Sequence, residues 1–230
     1  MIVHSDMRDF LEGDPGPYDL IIADPPYGRI VNETWDRTWT AEDYILFMGD
    51  LQMVVNPGAT CYVWGGVGRP KDRVFFEFLS KVENLTHWTL HNVITWGKKR
   101  AYGTAHNYLF TREECAMFVM GERPFTFNVP YLDELRGYEG FNVKYPAKDA
   151  RKRRTNVWSD VTEVMRGKKH PCEKPVRLAE ILIETSSNPG DLVLDAFGGC
   201  GNVHRTAERM GRRCDYVDID PNAYNAGLPK

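Results

Sequence analysis

Four consecutive residues, Asp24-Pro25-Pro26-Tyr27, put a carboxylate, two proline carbonyls and a phenol ring side by side. A carboxylate and a proline carbonyl are both acceptors, and together they can hold the two hydrogens of an exocyclic amine. The Tyr27 ring can stack on the base that bears the amine. The nitrogen lone pair is then free to attack a methyl donor. Taken alone, Asp-Pro-Pro is equally a solvated turn. A second set lies far along the chain: Asp195, then Phe197-Gly198-Gly199-Cys200-Gly201-Asn202, then Asp218. Glycines let a ligand approach the backbone closely, and an acid about 20 residues further on can accept from ribose hydroxyls. The spacing is not GxGxxG, which points away from a dinucleotide pyrophosphate and toward a nucleoside with a different tail. The plain structural alternative is a tight turn.

Both sets need strands to position them. Leu20 to Ala23 are a short apolar run, as expected of a strand buried in a parallel sheet. Asp24 ends the run, and two residues without N–H groups follow, so the chain leaves the sheet at a strand's carboxyl end. Asp191 to Asp195 read as a second buried strand, Asn202 to Met210 as a helix with Gly211 as its C-cap, and Asp215 to Asp218 as a strand ending in an acid. At the amino end, Met1 to Asp6 read as a short strand ending in a carboxylate and Met7 to Leu11 as a helix. Asp6 is either that helix's N-cap or a second carboxylate at the same sheet edge.

The stretch between is less regular. Residues 29–39 show no periodicity and carry Trp35 and Trp39, as a lid or as a loop that packs itself down. Thr40 and Asp43 form a capping-box pattern ahead of a helix that Asn56-Pro57-Gly58 is expected to stop. Ala59–Trp64, Trp88–Trp96 and Glu114–Met120 read as strands, with a helix from Pro70 through Leu79. Ala101–Thr111 read as an irregular loop, and residues 122–169 break the α/β rhythm. Two basic groups stand here: Lys98-Lys99-Arg100, and Arg151-Lys152-Arg153-Arg154 followed by Arg166, Lys168 and Lys169. Mixed with aromatic residues, they suit phosphates and unstacked bases, though a charge run is commonly just a solvated face. Pro175 opens a helix whose buried stripe is Leu178, Ile181, Leu182 and Thr185.

At 230 residues the chain suits one domain with a full core. A net charge of −3 means that any basic face is local. Five scattered cysteines indicate neither a disulfide framework nor a metal site. No signal peptide and no apolar run of membrane-spanning length appear, so a cytoplasmic protein without metal or membrane partner is expected.

Together these residues resemble the β-type S-adenosylmethionine-dependent DNA amino-methyltransferases. In that order the DPPY-type motif comes first, a target-recognition region follows, and the FxGxG-type motif comes late. Asp24-Pro25-Pro26-Tyr27 and Phe197-Gly198-Gly199-Cys200-Gly201 match the two ends, and His170-Pro171 with Lys174-Pro175 match the HPxxKP segment. Trp96, Lys98 and Glu113-Glu114 resemble the middle motifs. The resemblance is good over about residues 1–28 and 170–224 and looser between. It implies an α/β, Rossmann-like, mostly parallel doubly wound sheet with a small inserted recognition region. The halves would be a catalytic 1–121, an insertion at about 122–169 and a cofactor-binding 170–230.

The resemblance also implies roles. Asp24 and the Pro25 carbonyl, with Pro26, would hold the amine, and Tyr27 would stack on the flipped base. Asp195, Phe197, Gly198, Gly199, Gly201 and Asn202 would shape the S-adenosylmethionine pocket. Asp218 would bind the ribose, Asp6 the adenine amine, and Lys174 would close the pocket. Lys98, Lys99, Arg100, Arg151, Lys152, Arg153 and Arg154 would contact duplex DNA. Cys200 and Asn202 stand where the family often has Ser and Thr, and Asp218 where Glu is commoner. The target implied is adenine N6, since N4-cytosine members more often carry Ser at the position of Asp24. Cytosine N4 and RNA adenine N6 are the alternatives. A non-catalytic DNA-binding protein is disfavoured, because a binder needs neither Asp24 nor Tyr27. Family members are often dimers and serve restriction–modification, which extends the expectation to a homodimer.

Overall fold

Strand alternation decides which side chains face which layer. In β2 (Tyr18–Ala23), Ile21 and Ala23 face one layer while Leu20 and Ile22 face the other, all four buried. A strand covered on both faces reads as a continuous apolar run, as it does here. Each large side chain so buried contributes about 1.5–3 kcal/mol.

The computed structural model describes residues 1–26, 39–66, 71–103, 105–135, 151–164 and 173–227. Before β2 come β1 (Ile2–His4) and α1 (Met7–Glu12); after it come α2 (Ala41–Leu51), β3 (Val55–Gly65) and α3 (Lys71–Leu85). The antiparallel pair β4 (Trp88–Tyr102) and β5 (Phe110–Met120) is followed by β6 (Tyr131–Leu135), β7 (Arg151–Arg153) and β8 (Val157–Trp158). The chain then forms α4 (Val176–Ser186), β9 (Leu192–Ala196), α5 (Asn202–Arg209), β10 (Arg213–Asp218) and α6 (Ala223–Ala226).

Eight strands form one sheet in the order β1-β10-β9-β2-β3-β5-β4-β8. The pairings from β1 through β3 are all parallel, and the antiparallel ones are β3 with β5 and β5 with β4. The expected α/β sheet is thus present and mainly parallel. One face carries side chains of α1, α2 and α3, including the rings of Tyr44, Phe47, Phe75 and Phe78. The other carries α4 with Leu178, Ile181, Leu182 and Ile183 over Tyr62, Trp64 and Trp96.

The central feature for function is the neighbourhood of β2 and β9. From β2 the chain moves on to β3 on one side, and from β9 it moves to β10 on the other. That reversal is a topological switch point, and the crevice beyond the carboxyl ends of such strands is where open α/β sheets bind ligands.

Three local expectations change. Asn56-Pro57-Gly58 does not stop a helix: α2 ends at Leu51, and the three residues lie inside β3. The register explains it. Tyr18 pairs with Val55 and Leu20 with Thr60, so the intervening β3 residues bulge from the ladder. Pro57 therefore needs no N–H, and Gly58 takes φ 77°. The 101–111 loop is shorter than expected, because β4 and β5 extend until Tyr102 pairs with Phe110. The 122–169 stretch is partly built into the main sheet. β8 pairs with β4, Trp158 and Val161 are buried, and the Trp96 indole donates to the Val161 carbonyl at 2.7 Å. The capping box holds as expected: Asp43 N donates to Thr40 Oγ1 and Thr40 N donates to Asp43 Oδ2.

Candidate active site

Asp24 follows the last residue of β2, and its backbone N–H reaches the Ala196 carbonyl at 3.4 Å. Ala23 and Ala196 are register partners. The first residue beyond β2 and the first beyond β9 therefore stand side by side at the switch point. Pro25 is buried and Pro26 half-buried. Tyr27 lies outside the described residues, as do Trp35, the basic Arg166, Lys168 and Lys169, and His170-Pro171.

The Asp24 carboxylate meets a chain of alternating charges. Lys174 Nζ stands 2.5 Å from Asp24 Oδ2 and 3.4 Å from Glu113 Oε2. The other oxygen of Glu113 accepts from Lys98. The two ammonium groups sit over indole faces: Lys174 is 4.9 Å from the Trp64 centroid and Lys98 is 5.0 Å from that of Trp96. The two indoles meet edge to face at 6.1 Å. Burial pushes the Glu113 carboxyl up, but Lys174 and Lys98 outweigh it and hold it below the ordinary value.

The turn after β9 is shaped around absent side chains. A Cβ on Gly198 would lie 2.3 Å from the Tyr216 ring, and one on Gly201 would lie 2.6 Å from that of Tyr224. Phe197, Gly199 and Gly201 all take positive φ. Phe197 pays for this strain with packing: its ring meets Trp39 edge-on at 5.2 Å and Phe47 at 5.3 Å. Gly199 N donates to Asp218 Oδ2 at 2.7 Å, and the Tyr216 hydroxyl donates to the Gly199 carbonyl at 2.7 Å. The Asp195 carboxylate is buried and accepts from the His204 N–H at the start of α5. Burial drives the Asp195 carboxyl well above its ordinary value, against the pull of that N–H. Asn202 Nδ2 donates to the Lys174 carbonyl at 3.0 Å and to Glu173 at 3.3 Å, tying the segment before α4 to the glycine turn.

Asp6 does cap α1, accepting from Arg8 N at 2.9 Å. It also lies at the expected edge, since His4 pairs with Asp218 and Ser5 N donates to the Asp218 carbonyl. The glycine turn, Asp218 and Asp6 thus gather along the carboxyl ends of β9, β10 and β1. A strained glycine turn with an acid beside it suits a nucleoside-bearing ligand. Lys174, which the resemblance assigns to that pocket, has its ammonium on Asp24; its backbone carbonyl is what accepts from Asn202.

The basic residues divide. Lys98 is held by Glu113. The Arg154 side chain is 4% exposed, bonded through both terminal nitrogens to Asp160 at 2.8 Å and laid over Trp158, so it is an internal strut. Both cationic groups are thus already engaged within the protein. Lys99, Arg100, Arg151, Lys152 and Arg153 are on the surface; Arg151 lies over the Tyr131 ring and Lys152 is 3.7 Å from Glu134. Sequence reasoning missed the link of Lys174 to Asp24 and Glu113, and the Trp64 face beneath it. No local pattern announces a contact spanning 150 positions.

A family model described as a DNA methylase (N6_N4_Mtase) matches residues 18–227. The Type II methyltransferase M.HpaI of Haemophilus parainfluenzae is 30% identical over 88% of this chain and 64% of its own length. M.BamHI of Bacillus amyloliquefaciens is 26% identical over 85% of this chain and 48% of its own length. The chain thus spans about half to two-thirds of these curated relatives. The DNA adenine methyltransferase YhdJ of Escherichia coli (strain K12) is 25% identical over 99% of this chain and 81% of its own length. Among solved structures, the cytosine-N4-specific PvuII DNA methyltransferase superposes with a TM-score of 0.74 at 16% identity, over 98% of this chain and 84% of its own.

Proposed function

This chain belongs to that family of DNA methylases, and from this premise we propose that it carries a methyl group from S-adenosylmethionine to the N6 amine of adenine in duplex DNA. One observation carries the reading. β2 and β9 end side by side, so the Asp24 carboxylate and the strained glycine turn open into the same crevice.

The residues present fit the cofactor. Phe197, Gly198, Gly199, Gly201 and Asn202 would hold it along the turn, where glycines leave room for close approach, with Asp195 supporting the turn from beneath. Asp218 would take the ribose hydroxyls and Asp6 the adenine amine. When bound, S-adenosylmethionine supplies a sulfonium methyl group whose C–S bond breaks, its electron pair going to sulfur, as the new N–C bond forms.

The protein's own part is positioning and desolvation. Asp24 and the Pro25 carbonyl accept the two N–H groups of the target amine, and Pro26 stiffens the exit from β2. This orients the nitrogen lone pair out of conjugation with the ring. The nitrogen gains charge as it bonds to carbon, and the nearby carboxylate stabilises that charge. The proton then leaves the nitrogen, through Asp24 or to water. An amine inside a duplex cannot reach the crevice, so the base must be flipped out, with Tyr27 as its stacking surface. Lys99, Arg100, Arg151, Lys152 and Arg153 are the surface set for the phosphates.

The resemblance favours adenine, since N4-cytosine members of the family more often carry Ser at the position of Asp24. An adenine-specific relative and a cytosine-N4-specific structural neighbour both lie within reach of this chain. The test is methyl incorporation from labelled S-adenosylmethionine into unmethylated duplex DNA, followed by nucleoside analysis. N6-methyladenine is expected. N4-methylcytosine, or transfer to structured RNA alone, would overturn the substrate assignment while leaving the chemistry intact.

A further inference from the structure

We propose that Glu113 is a positioning residue. It offers Lys174 a second carboxylate to move to, so that the Asp24 oxygen held by the ammonium is released when the target amine arrives. This rests on the reading of Asp24 as the holder of the amine.

Asp24 faces a conflict. Its Oδ2 carries the Lys174 ammonium at 2.5 Å. An incoming amine needs that carboxylate as an acceptor, and as its nitrogen turns cationic a lysine at hydrogen-bond range repels it. Removing Lys174 into solvent would break a half-buried ion pair without replacement, which is costly. Glu113 provides the alternative. Its Oε2 is buried and already lies within ion-pair range of Lys174 Nζ, at 3.4 Å, without a hydrogen bond of good geometry. A buried carboxylate oxygen whose ion-pair contact is this long gains from a closer one, so a short shift gives the ammonium a favourable place to go. Trp64 keeps its indole face under Lys174, which supports the ammonium by cation–π attraction. Lys98 occupies the other Glu113 oxygen. Among the described residues, two lysines and two carboxylates make up this cluster whichever carboxylate Lys174 prefers. The ammonium's partner changes while the net charge of the site does not.

Three variants test this. Glu113→Gln keeps the shape but removes the receiving charge, so Lys174 stays on Asp24. Turnover on duplex DNA falls about tenfold or more, with S-adenosylmethionine affinity by calorimetry unchanged and the loss in kcat rather than KM for cofactor. Because this change also weakens the fold, rates are taken well below its unfolding temperature. Lys174→Arg keeps every charge, but its planar fork bridges both carboxylates at once and cannot hand over. It lowers kcat with the unfolding temperature retained. Lys174→Met combined with Glu113→Gln takes the ammonium off Asp24 and turns over faster than Glu113→Gln alone, an outcome that a purely structural Glu113 would not produce. A Glu113→Gln protein with wild-type kcat, or a double variant slower than the single, overturns the exchange alone. A wild-type chain that binds S-adenosylmethionine but methylates no nucleic acid overturns the role of Asp24, and the exchange with it.

Discussion

At the scale of single residues, Asp24 and Gly198 are asked for opposite things. Asp24 must touch the substrate, and Gly198 must leave room. Asp24→Ala removes an acceptor that acts on the amine, not on the cofactor. Methyl transfer is expected to fall about 100-fold or more while calorimetric S-adenosylmethionine affinity stays near wild type. Lost cofactor binding in that variant would place Asp24 in the wrong pocket. Gly198→Ala puts a methyl 2.3 Å from the Tyr216 ring, and that ring is tethered by its hydroxyl to the Gly199 carbonyl. The ring cannot swing aside cheaply, so the turn must move. The expected result is about 1–3 kcal/mol of destabilisation by denaturant titration, together with weakened cofactor binding.

At the scale of elements, the glycine turn is braced from outside itself. Phe197 leans on Trp39 and Phe47, and α2 carries Phe47. The start of α2 is held by Thr40 and Asp43, each bonded to the other's backbone. Thr40→Ala should therefore cost about 1 kcal/mol, read from urea unfolding. It should also loosen the Phe197 turn, seen as faster amide exchange around Gly198 and Gly199. Unchanged stability would mean that the cap is not maintained in solution. The β3 bulge shows an element taking precedence over a local signal. Asn-Pro-Gly is a helix stop when read by itself, yet parallel pairing to β2 on both sides of it holds the strand together and expels the misfit residues from the ladder.

At the scale of the whole molecule, charge is stored inside and titrates accordingly. Glu113 sits below its ordinary value of 4.5 because Lys174 and Lys98 overcome its burial, and Asp160 sits below 3.8 chiefly through its bonds to Arg154. For a carboxyl lowered on folding, the stabilisation is present above the unfolded value and is lost as pH falls toward the folded one. The unfolding temperature should hold down to about pH 5 and then drop as the pH is lowered further. Asp160→Asn should shallow that drop. Asp195 acts with the opposite sign: burial raises its carboxyl, so the folded state takes up that proton first as pH falls, and the stability gained opposes this acid limb. A scan in which wild type and Asp160→Asn lose stability in parallel would rule out the Arg154 pair as a source.

Much of the sheet was legible before any coordinates. Leu20 to Ala23 and, within the strand read over Asp191 to Asp195, Leu192 to Leu194 are apolar runs each ended by an aspartate, and such runs depend only on the period of side-chain burial. The chemistry-bearing motifs were legible for the same reason, because each is contiguous: Asp24-Pro25-Pro26 at one strand end, Phe197 to Asn202 at another. Adjacency was not legible. That β9 lies against β2, that β1 lies against β10, and that Lys174 reaches Asp24 and Glu113 are products of strand order. Nor could the basic run 151–154 be sorted, since Arg154 differs from its neighbours only in having Asp160 and Trp158 within reach. Local pattern determines which segments are buried and where the chain turns, because those depend on near neighbours. Only the tertiary structure decides which charges meet, because an ion pair depends on distance in space and is indifferent to separation along the chain.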